Sequence, residues 1–194
     1  MRVIPTAAGR LGVAISLDAF TPDYLRHLDA QAAEIVVQPD ANDQLWAAPS
    51  KTHRWQPAEW LDSVLGSIQP QYPHLRYNIC AMQTGAFFDI VFDGQSSITA
   101  RDHETNASPT STFVGVDDHR HSVTGEPLIG HFVALAPWVA PDPLAGNPAL
   151  TLPERRERLN EIACSLLPGH PNANAYRESV IWADLAISSA QPDN

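Results

Sequence analysis

Between Gly9 and Pro22 the chain reads Gly-Arg-Leu-Gly-Val-Ala-Ile-Ser-Leu-Asp-Ala-Phe-Thr-Pro. It sets a hydroxyl, Ser16, two residues before a carboxylate, Asp18, between an apolar run and a helix start. A nucleophile is favoured at the C-terminal edge of a parallel sheet, where main-chain N–H groups and a helix N-terminus stabilise an anion. A serine there needs a well-placed base for its proton. Asp40, Asn42 and Asp43 follow the next apolar run. They either contact a polar ligand at the same sheet edge or serve turn chemistry through local hydrogen bonds. Cys80 lies inside an apolar run, where a thiol is ordinarily a small buried hydrophobe. His119 and His121 with Asp117 and Asp118, and His103 upstream, supply metal-ligand types. Two histidines at i, i+2 in a polar stretch, with no cysteine ligand nearby, assign no metal, and the sequence points to no cofactor. Gly94-Gln95-Ser96 is not an esterase elbow, because Ile98 stands where a glycine is required.

The elements that must position these groups alternate. Gly12 to Leu17 reads as a buried strand. Thr21 and Pro22 then start a helix as N-cap and first residue, with Leu25, Leu28 and Ala32 as its inward stripe. Glu34 to Gln38 reads as a second strand and Pro39 to Asp43 as its exit loop. Pro57 opens a second helix with Trp60, Leu61, Val64, Leu65 and Ile68 at helical spacing, stopped by Pro70 and Pro73. Arg76 to Gln83 is a third strand, and Gly85 turns the chain. Asp89 to Phe92 and Ser97 to Ala100 read as short strands around an Asp93-Gly94 turn. Parallel strands with helical crossovers make the fold class α/β. Residues 101 to 127 read as loop and Pro137 to Pro153 as a surface meander. Pro153 to Leu167 reads as a helix with Leu159, Ile162, Ala163 and Leu166 on one face, and Gly169 as its stop. Ser179 to Ile187 reads as a last strand. Trp46, Trp55 and Trp60 cover a pocket or pack the core.

The 194 residues suffice for one domain, and with 44% apolar and 18% charged residues the chain reads as globular. A formal charge of −10, with Lys51 the only lysine, argues against nucleic acid or an anionic membrane surface as partner. Two cysteines, Cys80 and Cys164, make no disulfide framework, so a reduced, cytoplasmic setting is the expectation. The most apolar later stretch, Leu128 to Ala140, is too short and too broken to span a bilayer.

The segment around Ser16 and Asp18 resembles the nitrilase superfamily of carbon–nitrogen hydrolases. That family has a glycine-rich lead into a buried strand, a cysteine nucleophile, one residue, an acidic residue, and a proline-started helix. Ser16 falls on the nucleophile position and Asp18 on the acidic one. Ala33 to Pro39, Arg76 to Gly85 and Phe92 to Ile98 follow in family order, so the resemblance covers about residues 5 to 100. Residues 101 to 194 form a loop-rich extension with one helix and a final strand. The resemblance implies part of a four-layer αββα sandwich, its C-terminal half. It implies attack on the carbon of a small amide or nitrile, with Asp18 supporting the elbow, the Leu17 N–H in an oxyanion hole, and Asp40 and Asn42 lining the substrate pocket. The family's glutamate base and lysine belong to an N-terminal half, and Lys51 follows the nucleophile position in chain order. With serine in place of cysteine, the expectation is a pseudoenzyme, inactive as this chain. It needs a complementary N-terminal half or forms a homo-oligomer. The alternative is a degenerate, non-catalytic domain that binds a small polar ligand or a partner chain.

Overall fold

The structure is a computed structural model. It describes residues 3–47, 55–87, 90–102, 126–138, 150–166 and 179–187. Three β-branched-rich or apolar runs build the parallel centre: β2 (Gly9–Val13), β3 (Ile35–Ala41) and β4 (Tyr77–Gln83). Strands β2 and β3 are joined through α1 (Pro22–Ala30), and β3 and β4 through α2 (Gln56–Val64). The register pairs Gly12 with Val36 and Val36 with Asn78. Three antiparallel strands complete a six-stranded sheet in the order β1-β2-β3-β4-β7-β8: β1 (Ile4–Thr6), β7 (Ser97–Ala100) and β8 (His131–Leu135). A separate two-stranded ribbon pairs β5 (Gly85–Phe87) with β6 (Ile90–Phe92). The expected α/β class is therefore observed, as a mixed sheet with a parallel core.

One sheet face carries the helices. Leu25 and Leu28 of α1 pack with Val36, and Trp60, Leu61 and Val64 of α2 pack with Cys80 and Met82. The last helix, α3 (Leu152–Ser165), adds Leu159 and Ala163 to the same core as α2, with Leu166 just beyond its end. Thr151 and Glu154 form a capping box at its start, with Glu154 accepting from the Thr151 main-chain N–H at 2.8 Å. On the other face lie Ile35, Tyr77, Ile98 and Val133. Ile181, Ala183, Leu185 and Ile187 pack there, alternating with exposed Val180, Trp182, Asp184 and Ala186. The period of two is that of a strand. Residues 179–187 nevertheless pair with no strand among the described residues. They are held instead by the Ala186 carbonyl, which accepts from the Tyr77 hydroxyl at 2.6 Å and from Arg76 at 3.1 Å.

Several boundaries differ from the sequence reading, each for a local reason. The first strand ends at Val13 rather than Leu17, because Ser16 turns the backbone to φ 47° and opens a 3-10 turn over Ser16–Phe20. Ala32 is not on the α1 stripe. The helix stops at Ala30, and Ala32 closes it at φ 55° with its N–H on the Asp29 carbonyl. Pro39 and Asp40 lie within β3, in register with Ala81 and Met82, because β4 continues alongside them. The Asp93-Gly94 hairpin does not form: β6 pairs with β5, β7 pairs with β4, and Asp93 is drawn into the core. Residues 103–125 and 139–149, with His103, His119, His121 and most of the expected meander, lie outside the described residues, as does Gly169.

Candidate functional site

Two segments at the C-terminal edge of β2 and β3 form the walls of an open pocket of about 370 Å³. One wall is the turn after β2. Ala14 still holds the sheet, its N–H on the Val37 carbonyl at 3.0 Å. The chain then leaves the ladder. Ile15 and Leu17 are exposed, and Ser16 adopts a left-handed φ of 47°. An L-residue there carries strain of about 1–2 kcal/mol. What holds it is Asp18. Its carboxylate accepts the Ile15 N–H at 3.1 Å, and its own N–H and C=O close the 3-10 turn on Ile15 and Thr21 at 3.0 Å each. Behind the turn the Tyr24 hydroxyl donates to the Val13 carbonyl at 2.5 Å. Burial, and then the Asp18 charge, push the Tyr24 hydroxyl up, so it stays protonated and a donor.

The other wall is the end of β3 and the loop beyond it. Gln38 is fully buried. Its side chain donates to Asp40 at 3.0 Å and to Ser63 of α2 at 3.1 Å, and accepts from Asn78 at 2.9 Å. Asn78 in turn donates to Ser67 at 2.9 Å. This polar ladder crosses the sheet beneath the helices and fixes the direction of Asp40. Asn42 donates to the carbonyls of Gln44 at 2.8 Å and Asp93 at 3.1 Å. Asp93, 1% exposed, returns its N–H to the Asn42 carbonyl at 3.0 Å. Its carboxylate accepts the Trp46 main-chain N–H at 2.8 Å and the Trp138 indole N–H at 2.6 Å. The loop is thus clasped to the core at both ends.

Ser16, Leu17, Asp40, Asn42 and Asp43 all line this pocket, together with Trp46 and Trp60. Asp40, Asn42 and Asp43 make local hydrogen bonds and also line the pocket. Trp46 and Trp60 likewise do double duty. They pack edge to face in the core, ring centroids 5.1 Å apart, while lining the cavity. Trp55 is in the core only. Asp18 is outside the lining and acts through the backbone of the Ser16 turn. Cys80 is buried beside Trp60, and desolvation, then Asp40, push its thiol well above the ordinary range. It is a core residue. Phe20, Ala41, Gln44, Gln56, Glu59 and Met82 complete the lining, and the sequence reading gave none of them a site role. Asp93 was missed as well. Its Asp-Gly context reads as turn chemistry, and nothing local shows that its partners lie 47 and 45 residues away.

Chemically, the turn can present the Ser16 hydroxyl and the first N–H groups of the 3-10 helix to a bound carbonyl. Among the described residues no side chain hydrogen-bonds the Ser16 hydroxyl. No group of three His, Cys, Asp or Glu residues among the described residues could hold a metal. No described helix is long and apolar enough to cross a membrane.

No protein-family model and no curated protein matches the chain. Among solved structures it is similar to a carbon–nitrogen hydrolase from Helicobacter pylori G27. That match has 23% identity and a TM-score of 0.42, covering 50% of this chain and 35% of that one. It is also similar to an amidase from Nesterenkonia sp., at 19% identity and a TM-score of 0.34, over 51% of this chain and 33% of that one. A variant of the Nesterenkonia AN1 amidase, from the nitrilase superfamily, gives 18% identity and a TM-score of 0.32, over 70% of this chain and 40% of that one. The chain thus spans between a third and two fifths of the length of these three proteins.

Proposed function

We propose that this chain carries the amide-binding edge of a carbon–nitrogen hydrolase-like domain, and that as it stands it binds a small amide or nitrile without hydrolysing it. The observation that carries this reading is the Ser16 turn. A non-glycine residue is held at positive φ, on the rim of a pocket, at the end of a parallel strand and the start of a helical turn. Strained backbone of this kind persists only where the surroundings over-determine it, and it concentrates at functional sites. Here Asp18 is the over-determining group.

That no described side chain hydrogen-bonds the Ser16 hydroxyl supports binding over turnover. Deprotonating a hydroxyl without a base is far harder than deprotonating a thiol of pKa ~8.5. The activity of a completed site, on non-peptide C–N bonds, would come from a complementary segment supplying base and lysine. Homo-oligomerisation is the other way such a site could be completed.

The test is Ser16→Cys treated with chloroacetamide, an amide-shaped electrophile, and followed by intact mass and peptide mapping. The reading predicts that the introduced thiol, at a helix start inside an amide pocket, is carbamoylmethylated faster than the exposed Cys164. Labelling at Cys164 alone would remove the basis for placing a reacting carbon beside Ser16.

A further inference from the structure

The pocket has a charge that the Ser16 chemistry does not use. Three carboxylates line it, Asp40, Asp43 and Glu59, and among the described residues none of them forms an ion pair. Asp40 and Glu59 are half-buried, where a solvated counter-ion screens them less than at an open surface. Asp40 is held in place from behind by Gln38 and by the Ala41 N–H at 2.8 Å. A second, independent feature points to a ligand. Trp46 is 1% exposed, lines the pocket, and its indole N–H has no hydrogen-bond partner among the described residues. Buried donors are ordinarily satisfied, so a pocket-lining donor left open calls for an acceptor oxygen from outside.

We infer that this pocket selects a small cationic amide: an ammonium or guanidinium end held among Asp40, Asp43 and Glu59, and a carbonyl oxygen within reach of the Trp46 indole N–H. The inference rests on the amide-binding reading above and adds its charge. A volume of about 370 Å³ suits a ligand of a few carbon atoms between the two ends. An anionic amide of the same length would meet three like charges.

The test is calorimetric titration of the whole chain with three four-carbon amides: γ-aminobutyramide, butyramide and succinamate. The expected order is cation, neutral, anion, with the cation about tenfold tighter than the neutral amide, the sum of modest contributions from partly solvated pairs. In the Asp43→Asn/Glu59→Gln double variant the ratio of cation to butyramide affinity should shrink toward parity. The indole N–H signal of Trp46 should move with either amide. Equal affinity for all three ligands overturns the charge selection and leaves the amide-binding reading standing. Binding of none of the three overturns both.

Discussion

The two walls of the pocket are built on opposite principles. The β3 side is over-determined by long-range bonds: the Gln38–Asn78–Ser67 ladder, the Ser63 contact from α2, and the Asp93 clasp to Trp46 and Trp138. The Ser16 side is held mainly by bonds three residues long, closed by Asp18 on Ile15, and it exposes Ile15 and Leu17 to solvent. On the proposed reading the first wall is a fixed surface for recognition. The second stores backbone strain at a single residue, with a single carboxylate to restrain it. A site divided in this way separates orientation of a ligand from presentation of a group to it.

Substitutions can break or sharpen that contrast. The largest effect belongs to the fixed wall. Asp93→Ala strands two buried donors and should cost about 3 kcal/mol of stability, read as a fall in the urea midpoint. A cost under about 1 kcal/mol would mean the clasp is not what holds the loop. Asp18→Ala on the other wall removes one local cap and should cost only about 1 kcal/mol. Its sharper signature is faster hydrogen exchange at Ile15 to Leu17 with the loop at 42–47 unaffected. Ser16→Gly should do the reverse and stabilise by about 0.5 kcal/mol, since glycine adopts φ 47° freely but loses more entropy on folding. Ser16→Ala, which keeps the strain, should not stabilise. The smallest effect at neutral pH is that of Cys80. Its thiol is raised in the folded state, so its contribution is complete below the ordinary thiol value of 9.0 and is lost as pH climbs beyond it. Cys80→Ala should flatten the alkaline limb of the stability profile and leave its acid limb unchanged.

The same contrast explains what the sequence made legible. Short-range features were readable. The Thr21-Pro22 helix start, the parallel β2-β3-β4 centre and the placing of Ser16 and Asp40 at one sheet edge follow from apolar periodicity and punctuation within a few residues. Long-range pairings were not. Asp93-Gly94 has the local grammar of a hairpin, but burial of its carboxylate by two tryptophan-derived donors overrides it. Strand β8 sits in an apolar stretch whose partner, β7, lies some thirty residues earlier, with no hairpin signal between. Arg101 shows the same limit: it donates to the carbonyls of Gln69, Tyr72, Pro73 and Leu75, a brace that no spacing rule announces. Residues 179–187 have the alternation of a strand yet pair with none among the described residues, because alternation records which side is buried, not which backbone lies alongside.

The most direct test of the central claim is a titration of the isotope-labelled chain with butyramide, followed by NMR so that protein shifts and ligand signals are read from the same spectra. The account predicts saturable shifts at Ser16 and Leu17 on one wall and at Asn42 and the Trp46 indole on the other, while the butyramide signals stay those of the intact amide. Appearance of butyrate would contradict the proposal of binding without hydrolysis, and shifts confined to residues away from both walls would contradict the pocket itself.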